Sequence, residues 1–301
     1  TRNGYLGVDP DGNQLTSVLR KAQAAGKKTG IVVNTTLTEA TPAAFYAGVT
    51  SRKKTYEIAK QLTESGVDIA IGGGLNHFIN RPDSLDLTAV LINKGYDVYL
   101  DWGSVLKTGS DRFIGILPLT DVHRRESKNV SAGAAEGQEV CLAAQLAAAE
   151  GDGGTSTVSE PEVYLEKATA KALDVLSRNN EQGFFLMIES AIIDGYGHNN
   201  DSEGMIEEMK EFDCTLKQLV AYVNQHPETL LVVTADHETG GTGVAYNSFE
   251  VGNPTSLKLS FSTQGHTGTV VPIFAYGAGA EVFAGIMKNT DLPKKIEELM
   301  K

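Results

Sequence analysis

The chain has 301 residues, 41% of them hydrophobic, and a formal net charge of −12. This length permits one or two domains with a sizeable core, whereas the acidic balance argues against nucleic acid or an anionic membrane as a partner. A phosphate substrate is not excluded, because bound cations can dominate the local field. No apolar run approaches the roughly 18 residues of a membrane span, and no Pro/Ser-rich linker divides the chain. A single domain over residues 1–301 is therefore the simplest prediction.

The first part of the chain is predicted to alternate between helices and buried strands. Apolar residues repeat at helical spacing from Leu15 to Ala22, and Gly26 marks the end of that helix. A second helix is predicted to have Thr41 as its N-cap and Pro42 at its first position. A third helix is predicted over residues 54–65, and apolar runs predict strands over residues 31–33, 67–71, 96–100 and 113–117.

The alternation resumes after a segment without clear periodicity. We predict a surface insertion within residues 103–158, where residues 120–157 are hardest to interpret. A capping box at residues 159–162 precedes an amphipathic helix, and the apolar run 184–188 is typical of a strand buried on both faces. A long helix after it carries an apolar stripe that is predicted to pack in the core, namely Met205, Ile206, Met209, Phe212, Leu216, Leu219 and Val223. This alternation predicts an α/β fold, a three-layer α/β/α sandwich with a mostly parallel central sheet.

Polar residues that suit a metal ion follow the buried strand 184–188. Glu189, Asp194 and His198 come in quick succession, and residues four apart lie on one side of a helical turn. Asp194 and His198 could therefore reach one cation, and their oxygen and nitrogen ligands suit Zn²⁺. In open α/β sheets, such sites collect at the carboxyl ends of strands.

Two further strands end in the same way. The apolar run 230–233 leads to Asp236 and His237 and then to a glycine pair, and His266 lies between glycine and threonine just before another apolar run. A lone histidine is more often a surface or hydrogen-bonded residue than a ligand. Three histidines at strand ends with carboxylate neighbours reverse that expectation.

Four motifs in this order resemble the alkaline phosphatase family of two-zinc phosphomonoesterases. They are Thr38-Glu-Ala-Thr-Pro-Ala-Ala-Phe-Tyr-Ala-Gly-Val-Thr-Ser-Arg52, Glu189-x4-Asp194-x3-His198, Thr234-Ala-Asp-His-Glu-Thr-Gly-Gly241 and Gly265-His-Thr267. The resemblance extends, with gaps, from the N-terminus to about Ile286. It implies hydrolysis of phosphate monoesters with two Zn²⁺ ions and one Mg²⁺ ion.

The resemblance also implies which residues hold the zinc ions. Asp194, His198 and His266 match the three ligands of one zinc ion. Asp236 and His237 match ligands of the second zinc ion. Adjacent residues of a regular strand point to opposite faces. We therefore expect the chain to turn at Asp236 so that both side chains can share a metal.

The upstream motif matches the magnesium and phosphate sites of the family. Thr41 and Glu189 match ligands of Mg²⁺, which prefers oxygen atoms, and Glu39 matches a residue that holds a metal-bound water. Arg52 matches the arginine that grips the phosphate, where a planar guanidinium fits two oxygen atoms. Without the motif, Arg52 would be assigned to a surface salt bridge.

The chain departs from the family at its nucleophile. The family's nucleophilic serine lies in an Asp-Ser-Ala motif, and Asp83-Ser84 and Asp201-Ser202 lack the alanine. We therefore expect that the sequence is truncated at its N-terminus relative to the family and that this chain alone lacks the nucleophilic serine and a metal-bridging aspartate. The second zinc set and the magnesium set would then be short of one ligand.

Other interpretations stay open at this point. One alternative is a phosphodiesterase or phosphomutase of the same two-metal superfamily, and another is a non-catalytic remnant that binds metal or phosphate. The Arg52 segment and residues 234–241 favour the phosphomonoesterase. A homodimer in the periplasm or secreted medium follows only from the resemblance. Cys141 and Cys214 are either two thiols or one disulfide.

Overall fold

The computed structural model describes residues 2–118, 164–246, 249–250, 253–254 and 257–300. The chain forms two compact units. The first unit comprises Thr1–Val122, Lys167–Ala191 and Ala284–Lys301, and the second comprises His123–Glu166 and Ile192–Phe283. The prediction of one family domain over residues 1–301 stays a prediction.

The first unit is built around a five-stranded sheet. Its strands are β1 (Lys28–Thr36), β2 (Ile69–Gly73), β3 (Asp97–Tyr99), β4 (Phe113–Ile116) and β5 (Phe184–Glu189). They lie in the order β3-β4-β2-β1-β5, and all four neighbouring pairs are parallel. The prediction of an α/β fold with a mostly parallel central sheet is confirmed.

Helices pack against this sheet or against one another. They are α1 (Val18–Ala24), α2 (Ala40–Tyr46), α3 (Thr55–Glu64), α4 (Leu87–Asn93), α5 (Trp102–Lys107), α6 (Tyr164–Ser177) and α9 (Leu292–Leu299). Ile31 and Val33 of β1 and Leu62 of α3 are fully buried in this core. Gly30 of β1 lets a helix approach closely, since a Cβ atom there would lie 2.7 Å from a methyl group of Leu176 in α6.

Two sequence predictions about the first unit are wrong. The N-cap of α2 is Glu39 and not Thr41, because the backbone of Glu39 is extended and its carboxylate accepts a hydrogen bond from the Ala40 amide. Pro42 then lies at the third position, where the first turn needs no intrahelical amide donor. The predicted insertion within 103–158 does not include residues 113–116, since β4 is a buried inner strand between β2 and β3. Its residues 119–158 lie outside the described ones.

In its described residues, the second unit contains two complete α-helices, given below, and several short antiparallel strand pairs. The helices are α7 (Ile192–His198) and α8 (Ser202–Gln225). The strands are β6 (Leu230–Thr234), β7 (Glu238–Thr239), β8 (Gly243–Tyr246), β9 (Phe249–Glu250), β10 (Asn253–Pro254), β11 (Leu257–Ser260), β12 (His266–Thr267) and β13 (Ile273–Gly277). Among the described residues, the pairs are β6 with β13, β7 with β12, β8 with β11 and β9 with β10.

Apolar side chains of the second unit are less completely buried. In α8, Leu219 and Val223 are buried as predicted, but Ile206 and Met209 are 43% and 49% exposed, so the predicted core stripe holds only in part. We call β6 and β13 together the β6–β13 ribbon. On it Phe274 is 64% exposed. Cys214 of α8 is disulfide-bonded, and Cys141 lies outside the described residues.

Candidate metal centre

The helix α7 brings Asp194 and His198 to the same side. A loop of two residues follows β5, and α7 then places the two side chains one turn apart, as their spacing predicts. The Nε2 atom of His198 lies 3.3 Å from Oδ2 of Asp194. This pair belongs entirely to the second unit.

The strand β12 adds His266 to this pair. In the antiparallel pairing of β7 and β12, His266 lies opposite Thr239. Its Nε2 atom is 3.1 Å from Nε2 of His198 and 3.6 Å from Oδ1 of Asp194. One potential ligand atom from each of the three residues lies within 4.8 Å of the other two. The structure thus brings together the three residues that the sequence predicts for the first zinc ion.

These distances fit a tetrahedral zinc site. Zinc bonds of 2.0–2.1 Å in tetrahedral geometry separate two ligand atoms by roughly 3.3–3.4 Å. The distances from Nε2 of His198 to Nε2 of His266 and to Oδ2 of Asp194 are 3.1 and 3.3 Å, close to that value, whereas the 3.6 Å distance from His266 is to the other carboxylate oxygen, Oδ1. Two imidazoles and one carboxylate are also the donor set that zinc accepts. The residues present therefore fit the metal that the sequence predicts.

The ring of His198 is oriented by the main chain. Its Nδ1 atom lies 2.6 Å from the carbonyl oxygen of Gln264. Because a carbonyl can only accept, Nδ1 must carry the proton. In the neutral ring the lone pair then lies on Nε2, the atom that faces Asp194 and His266. This role of Gln264 could not be predicted, because a backbone carbonyl contributes through its position and not through its side chain.

Asp236 and His237 form a second pair of potential ligands. The strand β6 ends at Thr234, and residues 235–237 are not in a strand, so the two side chains need not point to opposite faces. Nε2 of His237 lies 3.1 Å from Oδ2 of Asp236. The His237 ring stacks on His266 with a centroid distance of 3.5 Å. The turn that the sequence predicts is therefore present, and the two predicted zinc sets adjoin.

Two residues to which the motifs assign no role, Thr239 and Glu238, hold these sets in place. The hydroxyl of Thr239 donates to Oδ1 of Asp194 and lies 3.2 Å from Nδ1 of His237. The carboxylate of Glu238 accepts hydrogen bonds from the Thr242 amide and the Thr267 hydroxyl, which hold the pKa of Glu238 below its ordinary value. Thr239 lies two residues after His237, and that spacing is the signal that could have identified it.

The residues predicted for magnesium and phosphate belong to the first unit. Glu189 is the last residue of β5, and Thr41 is the second residue of α2, which follows β1. Because β1 and β5 are parallel neighbours, their carboxyl ends lie at one edge of the sheet. Oε2 of Glu39 lies 2.9 Å from Nη2 of Arg52, and both side chains are about half exposed. The sequence-predicted roles of these four residues stay predictions.

His77 lies near this edge and is held by hydrogen bonding. Its Nδ1 atom is 2.7 Å from the Thr38 hydroxyl, and its ring contacts Tyr56 edge-on. Burial lowers the pKa of His77, against the opposing effect of the Glu39 carboxylate and with the added effect of Arg81. These contacts fit a structural role for His77.

Comparisons with known proteins agree with the motifs. A family model described as alkaline phosphatase matches residues 1–258. Alkaline phosphatase 4 of Bacillus subtilis (strain 168) is 27% identical over 374 residues, which cover 100% of this chain and 73% of that protein. The alkaline phosphatase of Escherichia fergusonii is 30% identical, over 97% of this chain and 69% of that protein.

Solved structures resemble the chain over its whole length. The alkaline phosphatase from the Antarctic bacterium TAB5 has a TM-score of 0.81 and 32% identity, and the match covers 100% of this chain and 80% of that one. A variant of the TAB5 enzyme in which a histidine is replaced by aspartate, described with Mg bound in its M3 site, has a TM-score of 0.80. None of the helices described here combines the length and the apolar composition that a membrane crossing requires.

Proposed function

Because the chain belongs to the alkaline phosphatase family and is thereby a phosphoric monoester hydrolase, we propose that it acts with two zinc ions and one magnesium ion. The observation that carries the proposal is the convergence of Asp194, His198 and His266, whose potential ligand atoms lie within 4.8 Å of one another. These three residues hold the first zinc ion. When bound, the two zinc ions supply Lewis acidity toward the attacking and leaving oxygen atoms of the phosphoester.

Asp236 and His237 hold the second zinc ion. Two features support this role: the 3.1 Å separation of their ligand atoms and the stacking of His237 on His266. The pair supplies two ligands, so further ligands must come from elsewhere, because catalytic zinc sites use about three protein ligands.

The magnesium ion is assigned to Thr41 and Glu189, with Glu39 in an outer role. All three offer oxygen atoms, and Mg²⁺ commonly keeps several waters that such outer carboxylates orient. The sheet topology supports the assignment, since these residues follow the carboxyl ends of neighbouring strands. The TAB5 variant described with Mg in its M3 site supports a third metal in this family.

Arg52 binds the phosphate group of the substrate. A guanidinium has five N–H donors in a fixed fork that matches two phosphate oxygens. Its hydrogen bond to Glu39 fixes one side of the fork. Arg52 thereby orients the phosphate and lowers the repulsion that its negative charge would meet in an acidic chain.

The covalent step needs a nucleophile, and the chain's own motifs do not supply the family's serine. We propose that these 301 residues alone do not form a phosphoserine. The diesterase, phosphomutase and non-catalytic alternatives are not favoured by any contact in the described part of the chain.

Compartment and assembly are further parts of the proposal. The disulfide at Cys214 supports an oxidising compartment, and therefore a periplasmic or secreted protein. A homodimer is proposed from family resemblance alone. Light scattering of the purified protein would decide the assembly.

The test of the proposal is the zinc content of His266→Ala. We expect the loss of about one zinc ion per chain, because the first site would keep only two of its three protein ligands. The matched control is His226→Ala, since His226 stacks on Tyr222 at the end of α8 and is outside both ligand sets. Equal zinc content in His266→Ala and the control would contradict the assignment. Faster turnover of an aryl phosphodiester than of the monoester would contradict the substrate class.

A further inference from the structure

Thr239 lies between the two ligand sets. Its hydroxyl donates to Asp194 of the first set and contacts Nδ1 of His237 in the second set. Thr239 as a whole is only 9% exposed. Its strand partner in β12 is His266, so the backbone of Thr239 is also tied to the first set. One buried side chain therefore touches both predicted zinc sites.

The Thr239 hydroxyl has a single proton, and the direction in which it is donated determines the tautomer of His237. Because that proton is donated to the carboxylate of Asp194, the oxygen can only accept from His237. His237 must then carry its proton on Nδ1, and in the neutral ring Nε2 keeps the lone pair that a metal needs. The competing tautomer would protonate Nε2, which could donate to Asp236 at 3.1 Å. Thr239 thus selects the tautomer that is able to bind metal.

The packing around Thr239 keeps this hydroxyl in place. A Cβ atom at Gly197 of α7 would lie 3.1 Å from both Cβ and Cγ2 of Thr239, so the helix backbone rests directly on the threonine side chain. The next residue, Gly240, has φ of +91° and turns the chain away immediately after Thr239. A close helix on one side and a tight turn on the other limit the rotamers that the side chain can adopt.

The tautomer of His198 is also fixed by a hydrogen bond, but to the main chain and not to a side chain. Its tautomer is set by the carbonyl of Gln264, which no side-chain substitution at that position removes. The tautomer of His237 depends on a side chain, and that side chain also restrains Asp194. A change at Thr239 is therefore expected to affect both sites together.

We propose that Thr239 is a positioning residue that couples the two zinc sites by fixing the His237 tautomer and the Asp194 carboxylate. The inference rests on the proposed function, because it concerns the same ligands. Residues that orient metal ligands typically change metal affinity by about 10–100-fold when they are substituted.

The test compares Thr239→Val with Thr239→Ser. Valine keeps the shape but removes the hydroxyl, whereas serine keeps the hydroxyl. Thr242→Val is the matched control, because its hydroxyl bonds the Thr239 carbonyl and the Glu238 carboxylate in the same turn, and neither group belongs to a ligand set. ¹⁵N NMR of the metal-free protein reports the His237 tautomer, and competition with a chelating dye reports the affinity for zinc.

In wild type, Thr239→Ser and Thr242→Val, we expect the Nδ1–H tautomer of His237 in metal-free protein. In Thr239→Val we expect a shift toward the Nε2–H tautomer and about 10–100-fold weaker zinc binding at both sites. An Nε2–H tautomer in the wild type would overturn the inference even if the valine variant did not fold. Unchanged affinity in a folded Thr239→Val would overturn it as well. Equal zinc contents in the wild type and in His266→Ala would instead overturn the proposed function.

Discussion

The two units position their candidate functional residues in different ways. In the first unit, Thr41 and Glu189 are placed by strands of a parallel sheet, of which β1, β2 and β4 are almost wholly buried. In the second unit, the ligands lie on a two-turn helix, on a two-residue strand and in the bend at residues 235–237. The Thr239 hydroxyl, which donates to Asp194, and the Gln264 carbonyl, which accepts from His198, orient them. Backbone topology fixes the first arrangement, and side-chain contacts fix the second.

This difference determines what each region tolerates. A rigid sheet edge keeps its residues in place when one neighbour changes, but it depends on a dense core. A hydrogen-bonded cluster tolerates changes in distant packing but depends on each orienting group. Substitutions in the first unit should therefore act mainly on stability, and substitutions in the cluster mainly on metal affinity.

The largest expected effect tests the dependence of the first unit on its core. Ile31→Ala in β1 removes a fully buried side chain, and we expect a loss of about 2–5 kcal/mol in the free energy of unfolding, since a cavity remains. Phe274→Ala in β13 is the control, because its ring is 64% exposed. Urea unfolding of both variants measures the difference. Equal losses would mean that the second unit depends on its ribbon as much as the first depends on its sheet.

An intermediate effect is expected at Arg52, where the first unit would meet the substrate. Arg52→Lys replaces a planar fork with a point charge, and we expect phosphate or vanadate binding to weaken by about 1.5–3 kcal/mol with unchanged metal content. Glu39→Gln serves as a comparison, because it weakens the ion pair with Arg52 but keeps the guanidinium. Isothermal titration would measure both. Wild-type affinity in Arg52→Lys would assign Arg52 to a surface salt bridge.

The smallest expected effect is a pH dependence of the first unit. Burial lowers the pKa of His77 in the folded state, so below about pH 6.5 the unfolded chain binds a proton that the folded chain does not. Stability should therefore be fully present above this pH and should fall as the pH drops toward the folded pKa. His77→Gln should flatten this slope, whereas His226→Gln, which leaves His77 in place, should keep it. Chemical unfolding at several pH values measures this slope. An equally steep change of the unfolding free energy with pH in His77→Gln and wild type would mean that His77 does not contribute.

Much of the fold and part of the candidate metal centre could be predicted from the sequence, because they depend on periodicity and on local spacing. The buried strands β1, β2 and β4 were predicted from continuous apolar runs, and the approach of Asp194 to His198 from a spacing of four residues. The approach of His266 was predicted only by family resemblance, since the strand pairing that brings it there is not local.

Other features could not be predicted, for physical reasons. Both Glu39 and Thr41 are able to cap a helix, and only the backbone angles decide between them. Local spacing places Thr239 near His237, but its contact with Asp194 and that of the Gln264 carbonyl with His198 are tertiary contacts with α7 that spacing does not predict. The exposure of Met209 reflects which part of α8 is covered, and an apolar stripe does not specify the extent of its partner surface.

The β6–β13 ribbon also affects how the protein can be handled. Besides Phe274, it exposes Tyr276 to 46%, and Val270 shortly before β13 is 85% exposed. Among the described residues, β6 and β13 pair only with each other. Exposed apolar residues next to unpaired strand edges favour self-association. Preparations of this chain should therefore become turbid or sediment faster as their concentration rises. Metal contents and turnover rates should be compared at matched, dilute concentrations, so that colloidal behaviour is not mistaken for the loss of a ligand.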